Sequence, residues 1–200
     1  MTTTIGDALA ALAPAGVRTG VRRIDPADVD LLAPIERAAV ARAVAKRRRE
    51  FATGRVLLRE LLGSSDGIAV ADGRAPVWPP GWCGSLAHDH EQAVAAVSDA
   101  PSVRALGIDV ESVTPLEADL ARLILRPDEA GLDAHLAFSL KEAAYKAWSA
   151  TGGRMLDHLD VRLTLDGDRF TALVVEDGVR LDGRFTVVAG RTLALVVVPG

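Results

Sequence analysis

The sequence is short of the groups that brace small proteins by chemistry rather than by packing. It holds a single cysteine, Cys83, which excludes an internal disulfide and any multi-cysteine zinc site. Aromatic residues make up only 4%, so a core has to be assembled mainly from Leu, Val, Ile and Ala. The longest apolar runs, such as Leu193 to Val198, fall far below the about 20 residues that a membrane span requires. The Ala-rich start, Met1 to Val17, lacks a basic segment and carries Asp7, which argues against a secretion signal. These absences predict a cytoplasmic protein with no membrane-embedded part. No phosphate-binding loop of the Gly-x-x-x-x-Gly-Lys type, no Gly-x-Gly-x-x-Gly fingerprint and no Gly-x-Ser-x-Gly elbow is present. Two common nucleotide-binding designs and the usual serine-hydrolase design are thereby excluded.

What is present is an ordinary globular composition. The chain has 200 residues, 49% hydrophobic and 25% charged, enough for one large domain or two small ones. The formal charge of −4 is unevenly spread. Between Glu36 and Glu60, eight basic residues stand against three acidic ones, and the rest of the chain is correspondingly acidic. One basic segment on an acidic protein points to a single anionic ligand site and disfavours a nucleic-acid surface. Lysine is scarce, with three residues at 46, 141 and 146 against 20 arginines. Two of the three lie within six positions.

Periodicity predicts helix over residues 26 to 62 with a break near Pro34, and Val44, Arg48, Phe51, Arg55, Leu58 and Leu62 follow one helical stripe. Gly63 to Gly67 ends that helix, and the Pro- and Gly-rich stretch from Gly73 to Gly84 reads as loop. Gln92–Ser98 and Val103–Glu111 read as strands. Two short helices are expected between 116 and 136, then a stronger one from about Leu140 to Ala150, stopped by Gly152 and Gly153. Three strands follow, at 161–165, 170–175 and 184–198, the last broken at Gly190, with turns at Asp166–Asp168 and Asp182–Gly183. The order predicts an α+β fold of two similar halves meeting near residue 105.

Two segments carry candidate chemistry. In Gly107-Ile-Asp-Val-Glu111 the alternation of a strand puts Asp109 and Glu111 on one face, about 7 Å apart; the plainer alternative is the wet face of an edge strand. In Phe138-Ser-Leu-Lys-Glu-Ala-Ala-Tyr-Lys146, Glu142 and Lys146 lie one helical turn apart, whereas Lys141 points about 100° to the side of Glu142. Here the alternatives are a capping box from Ser139 to Glu142 and an ordinary i,i+4 pair worth about 0.3 kcal/mol. Gly84-Ser-Leu-Ala-His88-Asp-His90 has no third ligand to complete a zinc site.

Taken together, Gly107-Ile-Asp-Val-Glu111 and Phe138-Ser-Leu-Lys-Glu-Ala-Ala-Tyr-Lys146 resemble the two signature motifs of 4′-phosphopantetheinyl transferases of the surfactin and enterobactin synthase type. Lys46-Arg-Arg-Arg-Glu-Phe-Ala-Thr-Gly-Arg55, Gly73-Arg-Ala-Pro-Val-Trp-Pro79 and Gly84-Ser-Leu-Ala-His88 are similar to further motifs of that family, in the same order. The resemblance implies an α+β pseudo-dimer, with halves 1–105 and 106–200 and the active site in the cleft between them. It implies coenzyme A as donor substrate and Mg²⁺ held by Asp109, Glu111 and Glu142. Glu142 and Lys146 become the catalytic pair, with Glu142 both a metal ligand and the candidate general base. Arg47, Arg48, Arg55, Arg74, Ser85, His88, Lys141 and Lys146 are implied to hold the coenzyme, helix register leaving open whether Arg47 or Arg48 faces it. The implied partner is an apo acyl or peptidyl carrier protein, of unspecified pathway, and a chain with both halves is expected to be a monomer. In one departure, Ala87 stands where the family usually has Ser or Thr, which predicts a lost hydroxyl contact worth about 0.5–1.5 kcal/mol. Competing readings are a Mg²⁺-dependent pyrophosphate hydrolase using the same carboxylates and a non-catalytic anion- or nucleic-acid-binding module.

Overall fold

The computed structural model describes residues 3–71, 75–114 and 118–200. Helix α1 (Ile5–Leu12) leads into strand β1 (Arg18–Arg23), α2 (Pro34–Ala39) and the long α3 (Ala45–Leu62). Strands β2 (Cys83–His88), β3 (Gln92–Ser98) and β4 (Val103–Ser112) follow, then α4 (Ala118–Ile124) and α5 (Ala134–Ala150). Strands β5 (Val161–Asp166), β6 (Arg169–Val174), β7 (Val179–Val188) and β8 (Arg191–Pro199) complete the chain. The fold is α+β, with two antiparallel sheets among the described residues: three strands in the order β1-β3-β2 and five in the order β4-β8-β7-β6-β5.

Each sheet carries one long helix. On β3, Ala93, Ala95 and Val97 face Leu57 and Leu58 of α3, while the alternate residues Val94 and Ala96 face an inter-sheet cluster with Leu106, Ile108, Val110, Leu193 and Leu195. That cluster also takes in Ala8, Leu9 and Leu12 of α1. Helix α5 lays Ala137, Leu140, Ala143, Ala144 and Ala147 on Val161, Leu163, Ala172, Val174, Ala194 and Val196 of the five-stranded sheet. The alanines bring its backbone close. At Gly107 a β-carbon would run into the carbonyl of Ala143, so only glycine lets α5 lie directly on β4.

Strand β4 is therefore not a wet edge. Its even-numbered residues from Leu106 to Val110 face the inter-sheet core, and Gly107, Asp109 and Glu111 face α5. Along its free edge runs β2, whose Ser85 hydroxyl oxygen accepts the Ile108 N–H at 3.0 Å. An otherwise unpaired edge donor is thus satisfied within the molecule.

Three boundaries differ from the sequence expectation. Helix α5 starts at Ala134, capped by the Asp133 carboxylate accepting from the Leu136 N–H at 2.8 Å, so Ser139 lies inside the helix and makes no capping box. The stretch from Gly84 to His88 is strand. Asp182–Gly183 is no turn but the middle of β7, where Gly183 leaves room for the Phe170 ring. No helix among the described residues is long and apolar enough to cross a membrane.

Candidate active site

The face of β4 that looks toward α5 gathers the two signature segments. Asp109, only 4% exposed, accepts from Lys146 Nζ at 2.7 Å on Oδ1 and from the Ser139 hydroxyl at 2.9 Å on Oδ2. Lys146 also donates to the Ile108 carbonyl at 3.0 Å. Ser139 and Lys146 are seven residues apart, two turns of the same face, so α5 grips one carboxylate at two heights. Glu111, two residues on along β4, is pushed up to about 7 by burial and by the neighbouring Asp109 charge, with further push from Asp89 and Glu142 and partial relief from Lys146. Glu142 is half-buried and is held below the usual carboxylate range, chiefly by the adjacent His158, against the effect of burial. Its Oε1 lies 3.3 Å from His158 Nε2.

Three oxygen-donor carboxylates thus share one negative field. The donor set fits a hard cation, which accepts carboxylate oxygen and offsets the repulsion that adds to burial in raising Glu111. No three His, Cys, Asp or Glu side chains among the described residues are drawn into a closed metal cluster. Lys146 sits on Asp109 and His158 on Glu142 instead. A cavity of about 200 Å³ opens beside Glu142, lined by Tyr145, Met155, Leu156 and His158 among others.

The cationic groups come from α3 and from β2 of the three-stranded sheet. Arg47 donates to His88 Nε2 at 3.0 Å, and Nδ1 of the same ring lies 3.3 Å from the Asp89 carbonyl. Arginine can only donate, so Nε2 accepts and the proton resides on Nδ1. This neutral tautomer agrees with a His88 driven below its ordinary value first by burial, then by Arg47 and Lys146, against the pull of Glu50. Arg191, which pairs with Ser112 at the end of β4, also donates to Asp89 beside His88 at 2.6 Å, so the histidine and the β4 carboxylates lie on adjoining strand ends across the β2–β4 junction. Two turns along α3 from Arg47, Arg55 is 2% exposed, with its guanidinium 4.5 Å from the Phe51 ring centroid. Its Nε has no hydrogen-bond partner among the described residues, and burial pushes it down to about 10.

Not every candidate reaches this place. Lys141 is 1% exposed and turned away from β4: its three protons go to Glu129 at 2.6 Å and to the carbonyls of Ile124 and His158 at 2.8 and 3.0 Å. An ammonium has three donors, so the expectation that Lys141 meets phosphate is corrected here. Arg48 is exposed and donates to the Ala43 carbonyl at 3.0 Å; Arg47, not Arg48, faces His88, because α3 begins at Ala45 and leaves Val44 in solvent. Ser85 accepts the Ile108 N–H at the β4 edge with its hydroxyl oxygen. Ala87 lies in the inter-sheet apolar cluster, on the opposite side of β2 from His88, so the hydroxyl it lacks concerns a core-facing position. Arg74 lies outside the described residues. Two groups escaped the sequence reading: Ser139, whose helical spacing to Lys146 was available as a signal, and His158, which no periodicity marks.

Comparison with known proteins adds an independent line. A family profile described as the 4′-phosphopantetheinyl transferase N-terminal domain matches residues 35–98. The chain is 39% identical over 196 residues to 4′-phosphopantetheinyl transferase Svp of Streptomyces mobaraensis, covering 88% of this chain and 80% of that one. It is 32% identical over 229 residues to 4′-phosphopantetheinyl transferase PptT of Mycobacterium tuberculosis, covering 97% and 99%. A shorter match, 34% over 142 residues and 62% of this chain, is to enterobactin synthase component D of Escherichia coli.

Proposed function

The chain belongs to the 4′-phosphopantetheinyl transferase family, and from that premise we propose that it moves the 4′-phosphopantetheine group of coenzyme A onto a serine of an apo acyl or peptidyl carrier protein. The observation that carries this reading is the junction of unlike groups: Arg47 of α3 on His88 of β2, with Arg55 farther along α3, beside Asp109 and Glu111 of β4 with Glu142 and Lys146 of α5. A substrate with a phosphorylated nucleotide at one end and a pyrophosphate in its middle spans such a junction. On this reading the chain is a pseudo-dimer, and residues 1–105 and 106–200 each contribute one cluster to the cleft.

The serine oxygen attacks the phosphorus on the pantetheine side, the bridging P–O bond breaks, and adenosine 3′,5′-bisphosphate leaves. Arg47 and Arg55 hold anionic oxygens of the nucleotide end, where charge-assisted hydrogen bonds orient as well as bind. Lys146 has one proton free after Asp109 and Ile108 take two, and it faces the charge that builds on the phosphoryl and leaving oxygens. Glu142, kept ionised by its surroundings, accepts the serine proton. Asp109, Glu111 and Glu142 would hold Mg²⁺, which when bound draws charge off phosphoryl oxygens. Ser139 fixes the Asp109 carboxylate against rotation. A monomer follows if both halves of the cleft come from one chain.

Intact-mass spectrometry of an apo carrier protein incubated with this protein, coenzyme A and Mg²⁺ tests the reading. The expected result is a gain of one phosphopantetheine that disappears with EDTA and falls by about 10²-fold or more in Asp109→Ala or Glu142→Gln, the loss typical of an electrostatic catalytic group. Coenzyme A broken down without a carrier protein would favour the hydrolase instead.

A further inference from the structure

Three residues of one stretch of α5 converge on a single residue, His158, beyond the signature segments. Phe138 stacks on the His158 ring, with centroids 5.2 Å apart and planes at 25°. Lys141 donates to the His158 carbonyl at 3.0 Å. Glu142, one turn after Phe138 on the same face, presents Oε1 at 3.3 Å from His158 Nε2. The ring is therefore fixed in plane by Phe138, its backbone is tethered by Lys141, and its outer nitrogen meets the carboxylate. That nitrogen is buried and has no hydrogen-bond partner among the described residues, its contact with Glu142 being a 3.3 Å ion-pair approach that does not reach hydrogen-bond geometry. Both His158 and Glu142 line the cavity of about 200 Å³, so the pair stands at an opening rather than in the core.

A glutamate has three side-chain torsions, and one that must both face Asp109 and Glu111 and accept a proton needs its orientation restricted. Carboxylates at metal and catalytic sites are commonly held in this way by a donor behind them, and loss of that donor costs about 10–100-fold in metal affinity or activity. No hydrogen bond reaches the Glu142 carboxylate among the described residues, and the ion-pair approach of His158 at 3.3 Å is its one charged contact there. We propose that His158 is a positioning residue for Glu142: its Nε2–H holds one carboxylate oxygen, leaving the other for the reacting side of the site. The assignment gives Lys141 a second task. Buried as it is, it anchors the segment that carries His158, and so connects the signature lysine to the signature glutamate through a third residue.

The role assigned to Glu142 rests on the proposed transfer reaction, so the test separates the two. In metal-free protein labelled with ¹⁵N-histidine, the Nε2 resonance of His158 should shift when Glu142→Gln is introduced; an unmoved resonance overturns the contact whatever the enzyme does. His158→Phe keeps the stack on Phe138 and removes the nitrogen. It should leave the urea midpoint and the KM for coenzyme A unchanged while lowering kcat and Mn²⁺ affinity by about 10–100-fold. His158→Gln, which retains an N–H, should recover most of that loss. A wild-type kcat and Mn²⁺ affinity in His158→Phe would overturn the positioning role, as would equal losses in Phe and Gln accompanied by a lower urea midpoint. If the wild-type chain transfers nothing, the proposed reaction falls, and the resonance and Mn²⁺ titrations still decide what His158 does to Glu142.

Discussion

Lys141 in α5 and Arg55 in α3 are buried to nearly the same degree, at 1% and 2% exposure, but their surroundings are unlike. Around Lys141 every proton is taken, and Glu129 is itself satisfied by the backbone N–H groups of Leu163 at 2.5 Å and Arg126 at 3.0 Å. Burial lowers the Lys141 proton affinity and Glu129 opposes that fall. The acid whose charge acts on Arg55, Glu36, is already engaged with Arg59 and with the N–H groups of Ala33 and Ile68. What remains is the Phe51 face. A buried cation whose donors are all matched is an internal strut, whereas one whose donors are not matched is poised for an anion from outside. The two neighbourhoods thereby separate fold from function more sharply than motif membership does, because the lysine belongs to the stronger motif.

The comparison can be broken by substitution. Lys141→Met should have the largest effect, lowering the free energy of unfolding in urea by about 3–5 kcal/mol because Glu129 is left charged and buried. Adding Glu129→Gln should restore much of it; an unchanged midpoint in the single variant would remove the strut. Arg55→Met should do the reverse, shifting stability by less than about 1 kcal/mol while weakening coenzyme A binding, read by calorimetry, by about 10–100-fold, the worth of charge-assisted hydrogen bonds of about 1.5–3 kcal/mol. Tight binding by that variant would contradict the role given to Arg55. Gly107→Ala touches neither cation but forces α5 off β4, and should cost about 1–3 kcal/mol by overpacking together with most of the transfer activity.

The smallest expected effect concerns a third interior charge. Burial raises Asp89, but the N–H groups of Glu91 and Gln92 and the Arg191 guanidinium at 2.6 Å outweigh it and hold the carboxyl below its usual range. The folded protein then binds this proton more weakly than the unfolded chain. Its contribution is complete above the unfolded value near 3.9 and is lost as pH falls through the lower folded value. Asp89→Asn should flatten the acid limb of a stability profile below about pH 4; superimposable profiles for the two proteins would argue against it.

Where packing repeats regularly, the sequence was informative. The alternation in β4 located Asp109 and Glu111 on one face, and the helical spacing of Glu142 and Lys146 located their common side. The separation of Lys141 from Glu142 by about 100° already pointed it elsewhere, although its partner, twelve residues upstream, carried no local signal. Strand β1, Arg18-Thr-Gly-Val-Arg-Arg23, escaped notice because it is largely polar and only partly covered. Strand β2 escaped because it is built of small residues: Ser85 and Ala87 face the neighbouring sheet, and Gly84 makes room for the Trp78 ring on the other side. Asp182–Gly183 has the composition of a turn, and the ring of Phe170 and the carbonyl of Leu195, both distant in sequence, explain a glycine there. The basic stripe on α3 was half right: Arg55 is buried, but the helix begins too late to bury Arg48.

The meeting of β2 with β4 has a consequence for handling the chain. Each strand hides the flank of the other, and the Ser85–Ile108 hydrogen bond closes a donor that would otherwise face solvent. Severed in the turn between Asp99 and Ser102, the two pieces would each bare a ready template for pairing with a neighbouring molecule. Either piece made alone should self-associate, as light scattering would register, and mixing the two before that happens should suppress it.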